Sequence, residues 1–143
     1  QLDSSARTAA LAAEQLGVPV GAIANSLVFS ADDVPLLVMT SGAHRVDIAL
    51  LAETLGVARI ERASADFVLR HTGQVIGGVA PVGHPHPLRT VVDVALAHYP
   101  QLWAAGGHPH AVFPTTYDEL VRITSGTPRT VARDGTTPGG GAQ

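Results

Sequence analysis

Residues 22–40 read AIANSLVFSADDVPLLVMT and hold two apolar runs, each long enough to form a strand. Between the runs lie Asp32 and Asp33, whose short polar side chains suit a tight turn. Two apolar runs joined by such a turn are typical of an antiparallel hairpin. We therefore predict strands at residues 22–30 and 35–40, which begin a β-sheet.

Helical and strand-like segments flank this hairpin. A helix that ends at Gly56 is predicted by the spacing of four apolar residues: Val46, Leu50, Leu51 and Leu55. Further helices are predicted at residues 7–16, 64–71 and 116–123, and further strands at 58–62, 90–96, 102–105, 111–114 and 130–132. The pattern predicts an α+β fold: a single domain with a mixed, mostly antiparallel sheet flanked by helices. We assign residues 1–133 to this domain and residues 134–143, with their Pro-Gly-Gly-Gly run, to a flexible C-terminal tail.

Composition excludes several kinds of chemistry. The 143 residues are 45% hydrophobic and 15% charged, with a formal net charge of −3, which fits one globular domain. Cysteine and lysine are both absent, so a thiolate nucleophile, a disulfide framework, a Schiff-base lysine and a P-loop lysine are all excluded. The sequence has no G-x-S-x-G motif to support a covalent serine mechanism.

We expect no membrane association. The longest uncharged apolar stretch, residues 17–31, is interrupted by Pro19, Gly21 and Asn25 and is shorter than the ~20 residues that a membrane helix needs. The expected location is the cytoplasm.

A glycine-punctuated run at residues 76–83 is the first candidate for a functional site. It reads IGGVAPVG, and adjacent glycines at Gly77 and Gly78 let backbone N–H groups approach a ligand closely. Such donors can stabilise a developing oxyanion. The alternative is that these glycines only allow a tight bend between a strand and a loop.

Two His-Pro-His units form the second and third candidates. His108 and His110 follow Gly106 and Gly107, and residues 84–87 repeat the alternation as HPHP. Histidines two residues apart project to one side of an extended chain, so they could act as metal ligands, proton-transfer groups or donors to a sugar or phosphate. Neither loop contains an acidic residue, which disfavours a metal centre, and a glycine-rich turn with solvated histidines is the simpler alternative.

The fourth candidate is the segment TSGAHR at residues 40–45, where a predicted strand runs into a helix. Its hydroxyls, its backbone N–H groups and its basic side chains suit a phosphate or a ribose, with Thr40, Ser41, His44 and Arg45 as the contacts. The alternative is a helix cap followed by a surface arginine.

These segments, in this order, resemble the YbaK family, the prolyl-tRNA synthetase-associated domain whose members include freestanding aminoacyl-tRNA deacylases. The resemblance covers about residues 7–131, and the strongest part is the Gly-x-x-x-Pro loop from Gly77 to Pro81. The matching segments are LGVP (16–19), IANSLVF (23–29), RVD (45–47), TG (72–73), IGGVAPVG (76–83) and AAGGHPH (104–110).

The resemblance implies a hydrolase that removes a mischarged amino acid from the 3′ end of a tRNA, without a metal or cofactor. It implies as partners a tRNA acceptor end that carries an amino acid and, in addition, an aminoacyl-tRNA synthetase. The implied catalytic residues are Gly77, Gly78, Asn25 and His108, and the implied substrate-binding residues are Thr40, Ser41, His44, Arg45, Val79, Pro81, Gly106, Gly107 and His110.

Asn25 departs from the family pattern, which commonly has a lysine at this place in the strand. An asparagine donates hydrogen bonds but supplies no cation. The resemblance therefore also allows a non-catalytic module of the same fold that binds a tRNA end or a nucleotide, or a deacylase in which His108 or His110 partly replaces the missing charge.

Overall fold

The computed structural model describes residues 4–74, 79–81, 84, 88–105 and 112–132, which build one mixed sheet with helices packed against it. The strands are β1 (Ile23–Ala31), β2 (Val34–Ser41), β3 (Ile60–Arg62), β4 (Arg89–Asp93), β5 (Leu102–Ala105), β6 (Val112–Thr115) and β7 (Thr127–Arg129). The α-helices are α1 (Ser4–Leu16), α2 (Ile48–Leu55), α3 (Ala65–Thr72) and α4 (Tyr117–Thr124), and short 3₁₀-helices occupy Val20–Ala22 and Val94–His98. The predicted α+β class is confirmed.

The predicted hairpin is formed by β1 and β2, which pair antiparallel from Ala24 opposite Ser41 to Ala31 opposite Val34. Asp32 and Asp33 both adopt positive φ, 51° and 69°, the conformation that matches a two-residue turn to the twist of its strands. The Asp32 carboxylate also accepts hydrogen bonds from the backbone N–H groups of Ala58 and Arg59, at 3.1 and 2.8 Å. The turn is thus attached to the segment that leads into β3.

The sheet order is β6-β5-β1-β2-β4-β7, with β3 also paired to β1. β1 runs antiparallel to β2 and β3 and parallel to β5, while β4 runs parallel to β2 and β7. In the β2–β4 register Met39 lies opposite Val92, so the next residues, Thr40 and Asp93, are neighbours where both strands end. This parallel pairing positions the candidate site.

Apolar side chains cover both faces of the sheet, which explains why β1 and β2 read as continuous apolar runs. One cluster, under α3 and α4, includes Val28, Leu37, Met39, Val68, Val92 and Leu120. The cluster on the opposite face, under α2, includes Phe29, Leu36, Val38, Leu51 and Val91.

The predicted helix ends agree with the structure at several positions. Ser64 and Thr116 cap α3 and α4 through their side chains, and Gly56 and Gly73 end α2 and α3 in the left-handed conformation. α4, by contrast, ends at Ser125, which takes a φ of 52° in place of the predicted Gly126.

Two strand predictions need correction. The strand predicted at residues 90–96 stops at Asp93, because the Asp93 side chain caps the 3₁₀-helix that follows by accepting from Ala95 N–H at 2.9 Å. The last strand is Thr127–Arg129 and not residues 130–132, where Val131 is buried and its carbonyl accepts the N–H of Asp47 at 2.8 Å. The predicted tail at 134–143 and most of the glycine run at 76–83 lie outside the described residues.

Candidate functional site

The chain makes a fixed corner where β2 ends and the segment leading to α2 begins. The Ser41 hydroxyl donates to the Gly21 carbonyl at 2.8 Å and accepts from the Ala43 N–H at 3.2 Å. The Gly42 N–H donates to the Ile23 carbonyl at 2.8 Å. A Cβ at Gly42 would lie 2.5 Å from the backbone oxygen of Val20, so the close approach of these segments requires glycine there.

A buried carboxylate, that of Asp93, lies beside this corner. Asp93 is 1% exposed. Its Oδ2 atom accepts from the Thr40 hydroxyl at 3.2 Å and from the Ser41 N–H at 3.0 Å, while Oδ1 accepts from Ala95 N–H at 2.9 Å. These hydrogen bonds offset the cost of burying the carboxylate and connect the ends of β2 and β4.

His44 completes the group, because its Nδ1 atom lies 2.9 Å from Oδ2 of Asp93. A carboxylate can only accept, so Nδ1 carries the proton and Nε2 is the nitrogen that can accept one when the ring is neutral. Within the described ranges Nε2 makes no hydrogen bond, and no buried side-chain nitrogen or oxygen there is left without a partner. Since Nε2 has no partner there, it is not fully buried, and the His44 side chain as a whole is 19% exposed.

Asn25 lies on the same face of the sheet as Thr40. The two residues are directly opposite each other in the β1–β2 ladder, and side chains of such a pair point to one side. A polar row therefore crosses three neighbouring strands and consists of Asn25, Thr40 and Asp93. The Asn25 side chain is half-buried.

Two tyrosines border this region. Tyr99 packs directly over Gly21, where any Cβ would overlap its ring. Burial raises the pKa of the Tyr117 phenol above its ordinary value, and the negative charges of Asp118 and Asp93 add to the effect. The Tyr117 phenol therefore stays neutral to a higher pH than a free tyrosine does.

The predicted oxyanion loop is described only in part. Val79, 2% exposed, packs in the core cluster with Leu37 and Met39, and Pro81 is buried. The Ala80 N–H donates to the Gln74 side chain at 2.6 Å, so this amide is occupied within the protein. The roles of six further site residues stay predictions, because these residues lie outside the described ranges: Gly77, Gly78, Gly106, Gly107, His108 and His110.

The described part of the chain contains no cluster of three or more His, Asp or Glu side chains suited to a metal ion. His84 lies with Nε2 2.8 Å from the Ala80 carbonyl, which occupies that ring nitrogen. No helix among the described residues is long and apolar enough to cross a membrane.

Among the site residues that the structure describes, four are brought together: Asn25, Thr40, Ser41 and His44. Thr40 and Ser41 are each 1% exposed and their hydroxyls bind other protein groups, whereas the neighbouring Arg45 is exposed. Sequence reasoning missed Asp93. The signal for it is a single acid directly after the buried apolar run of β4.

Comparison with known proteins identifies the family. A model of the aminoacyl-tRNA editing domain matches residues 3–123, and the chain belongs to this family. A solved structure described as a candidate trans-editing enzyme for prolyl tRNA synthetase shares 38% identity and superposes with a TM-score of 0.84, covering 93% of this chain and 84% of the other.

Two curated relatives extend the comparison. The uncharacterised protein YwhH of Bacillus subtilis (strain 168) is 31% identical over 121 residues, 84% of this chain and 76% of its own length. A proline–tRNA ligase of Lactobacillus gasseri is 33% identical over 81 residues, which are 57% of this chain and only 14% of the ligase. The chain thus matches a small part of that synthetase and most of YwhH.

Proposed function

We propose that this protein hydrolyses the ester bond between a mischarged amino acid and its tRNA, as a deacylase acting in trans. The observation that carries the proposal is the editing-domain match over residues 3–123. The close likeness to a candidate trans-editing enzyme, over almost the whole chain, supports the same activity.

The proposed chemistry relies on position and on backbone dipoles. Backbone N–H groups at Gly77 and Gly78 would stabilise the oxyanion that forms when water attacks the ester carbonyl, and the neighbouring ribose hydroxyl would help to activate that water. Asn25 and His108 would complete the catalytic set. An activated ester needs no cysteine, lysine or serine triad for this reaction, which agrees with a chain that lacks the first two.

The proposed partners are a tRNA acceptor end that carries an amino acid and an aminoacyl-tRNA synthetase, met in the cytoplasm. At one end of the sheet, the substrate would contact Thr40, Ser41, His44 and Arg45. The other proposed contacts with the substrate are Val79, Pro81, Gly106, Gly107 and His110.

A deacylation assay on a panel of mischarged tRNAs tests the proposal, with release of the amino acid as the readout. We expect turnover of at least one ester and a slower reaction in Gly77→Ala, because the added methyl group would hold the ester carbonyl away from the backbone N–H groups. Complete loss of one oxyanion donor is worth about 10²–10³-fold in rate, which sets the upper size of the effect. A folded protein that releases no amino acid from any tRNA would contradict it.

Asn25 supports a second candidate, a non-catalytic module that binds a tRNA end or a nucleotide. It stands in the polar row with Thr40 and Asp93, where the family resemblance places a lysine, and it supplies no cation. Tight binding of an uncleavable aminoacyl-adenosine analogue, together with an unchanged rate of ester hydrolysis in the presence of the protein, would favour this candidate over the deacylase.

A further inference from the structure

We propose that His44, oriented by Asp93, is the proton-transferring residue of the ester hydrolysis. This inference rests on the proposed deacylase function and adds a proton-transferring side chain to the proposed catalytic set of Gly77, Gly78, Asn25 and His108. It assigns to His44 a different role from a simple substrate contact.

The geometry of the pair carries the inference. The Nδ1 proton is held by Asp93 at 2.9 Å, which fixes both the tautomer and the plane of the ring. Nε2 is left accessible and without a hydrogen-bond partner in the part of the chain that the structure describes. A carboxylate that orients an imidazole by its inner nitrogen while the outer nitrogen faces the substrate is the arrangement of a general acid–base pair.

Asp93 is itself held firmly enough to orient the ring. Thr40 and the Ser41 N–H bind the same oxygen that His44 binds, and Ala95 N–H binds the other oxygen. At 1% exposure the carboxylate has no room to turn toward solvent. Asp93 is therefore a positioning residue, and His44 is the group that contacts the reacting atoms.

The proposed hydrolysis moves one proton from water to the ribose oxygen through His44. The water oxygen bonds to the acyl carbon while Nε2 of His44 takes one water proton. When the bond between the acyl carbon and the ribose oxygen breaks, that proton passes to the ribose oxygen. The products are the amino acid and a tRNA with a free terminal hydroxyl, and His44 returns to its neutral form.

The test compares His44→Asn with the wild-type protein in single-substrate kinetics on the mischarged tRNA that the wild type cleaves fastest. The asparagine amide can still donate to Asp93 from the position of Nδ1, but it offers nothing in the place of Nε2. We expect kcat to fall about 10²-fold or more, within the usual range for general acid–base catalysis, while KM changes little. His98→Gln is the matched control, because His98 is an exposed histidine at the end of a 3₁₀-helix outside the site.

Chemical rescue separates catalysis from folding. Adding imidazole to His44→Ala should restore part of the lost kcat, which a purely structural role would not allow. If wild-type protein is active and His44→Asn stays within about threefold of its kcat, the assignment of His44 is wrong and the deacylase stands, since general acid–base catalysis is worth far more than that. If the wild type is inactive on every ester, both proposals fail.

Discussion

Replacing Asp93 with alanine should cost a large part of the stability of the fold. The substitution leaves the Ser41 N–H, on a residue 1% exposed, without its acceptor, while the Thr40 hydroxyl keeps only the Ser41 carbonyl at 3.4 Å. Each buried donor left unpaired costs about 1–3 kcal/mol, and loss of the cap on Ala95 costs about 1 kcal/mol more. With one donor unpaired and the cap lost, the expected fall in the free energy of unfolding is about 2–4 kcal/mol, out of the ~5–15 kcal/mol typical of a domain.

Urea unfolding at neutral pH, followed by circular dichroism, measures this loss. Asp93→Asn should lose less stability than Asp93→Ala, because the oxygen of the asparagine amide still accepts hydrogen bonds in the place of one carboxylate oxygen. Glu53→Ala removes a carboxylate from the exposed face of α2 and should stay within about 0.5 kcal/mol of the wild type. A loss below about 1 kcal/mol in Asp93→Ala, with an unchanged m value, would show that the carboxylate does not satisfy these donors.

Three further substitutions test other parts of the structure. Gly42→Ala should destabilise the protein by about 1–3 kcal/mol in urea unfolding, because its Cβ would press on the Val20 carbonyl, and a neutral result would contradict the tight corner. The pKa of Tyr117 is raised by folding, so its contribution to stability is complete below the unfolded value of 10.0 and is lost as the pH rises through the folded value. As the pH is raised from neutral to above 10.0, the free energy of unfolding should therefore fall less in Tyr117→Phe than in the wild type. If urea unfolding gives the same pH dependence for both proteins, this reasoning is wrong. Ser64→Ala removes the acceptor for Phe67 N–H and should cost about 1 kcal/mol, visible as a lower Tm, whereas an unchanged Tm would mean that α3 does not need this cap.

Local sequence signals predicted much of the fold. The hairpin follows from Asp32 and Asp33 between two apolar runs, and the ends of α2 and α3 follow from Gly56 and Gly73. Each of these features depends on residues close together in the chain, where turn and cap chemistry acts.

The central part of the candidate site could not be predicted in the same way. His44 and Asp93 meet only because β2 and β4 pair in parallel, and nothing local to either segment specifies that register. The 3₁₀-helix after Asp93 was missed for a related reason: an apolar run such as residues 94–96 gives no sign of the capping carboxylate that ends the strand. Strand β7 has only three residues, too few for a period-two pattern to fix its position.

The position of β1 in the sheet has a consequence for biosynthesis. Its hairpin partner β2 leaves the ribosome directly after it, but β5, which pairs with Ile23 and Ala24 on the other side, follows only after Leu102 has been made. β3 pairs with this edge only at Phe29–Ala31, so until β5 is made the nascent chain carries an unpaired edge at the start of β1 that another chain could join. Translation stalled or terminated between β4 and β5 should therefore yield aggregation-prone fragments.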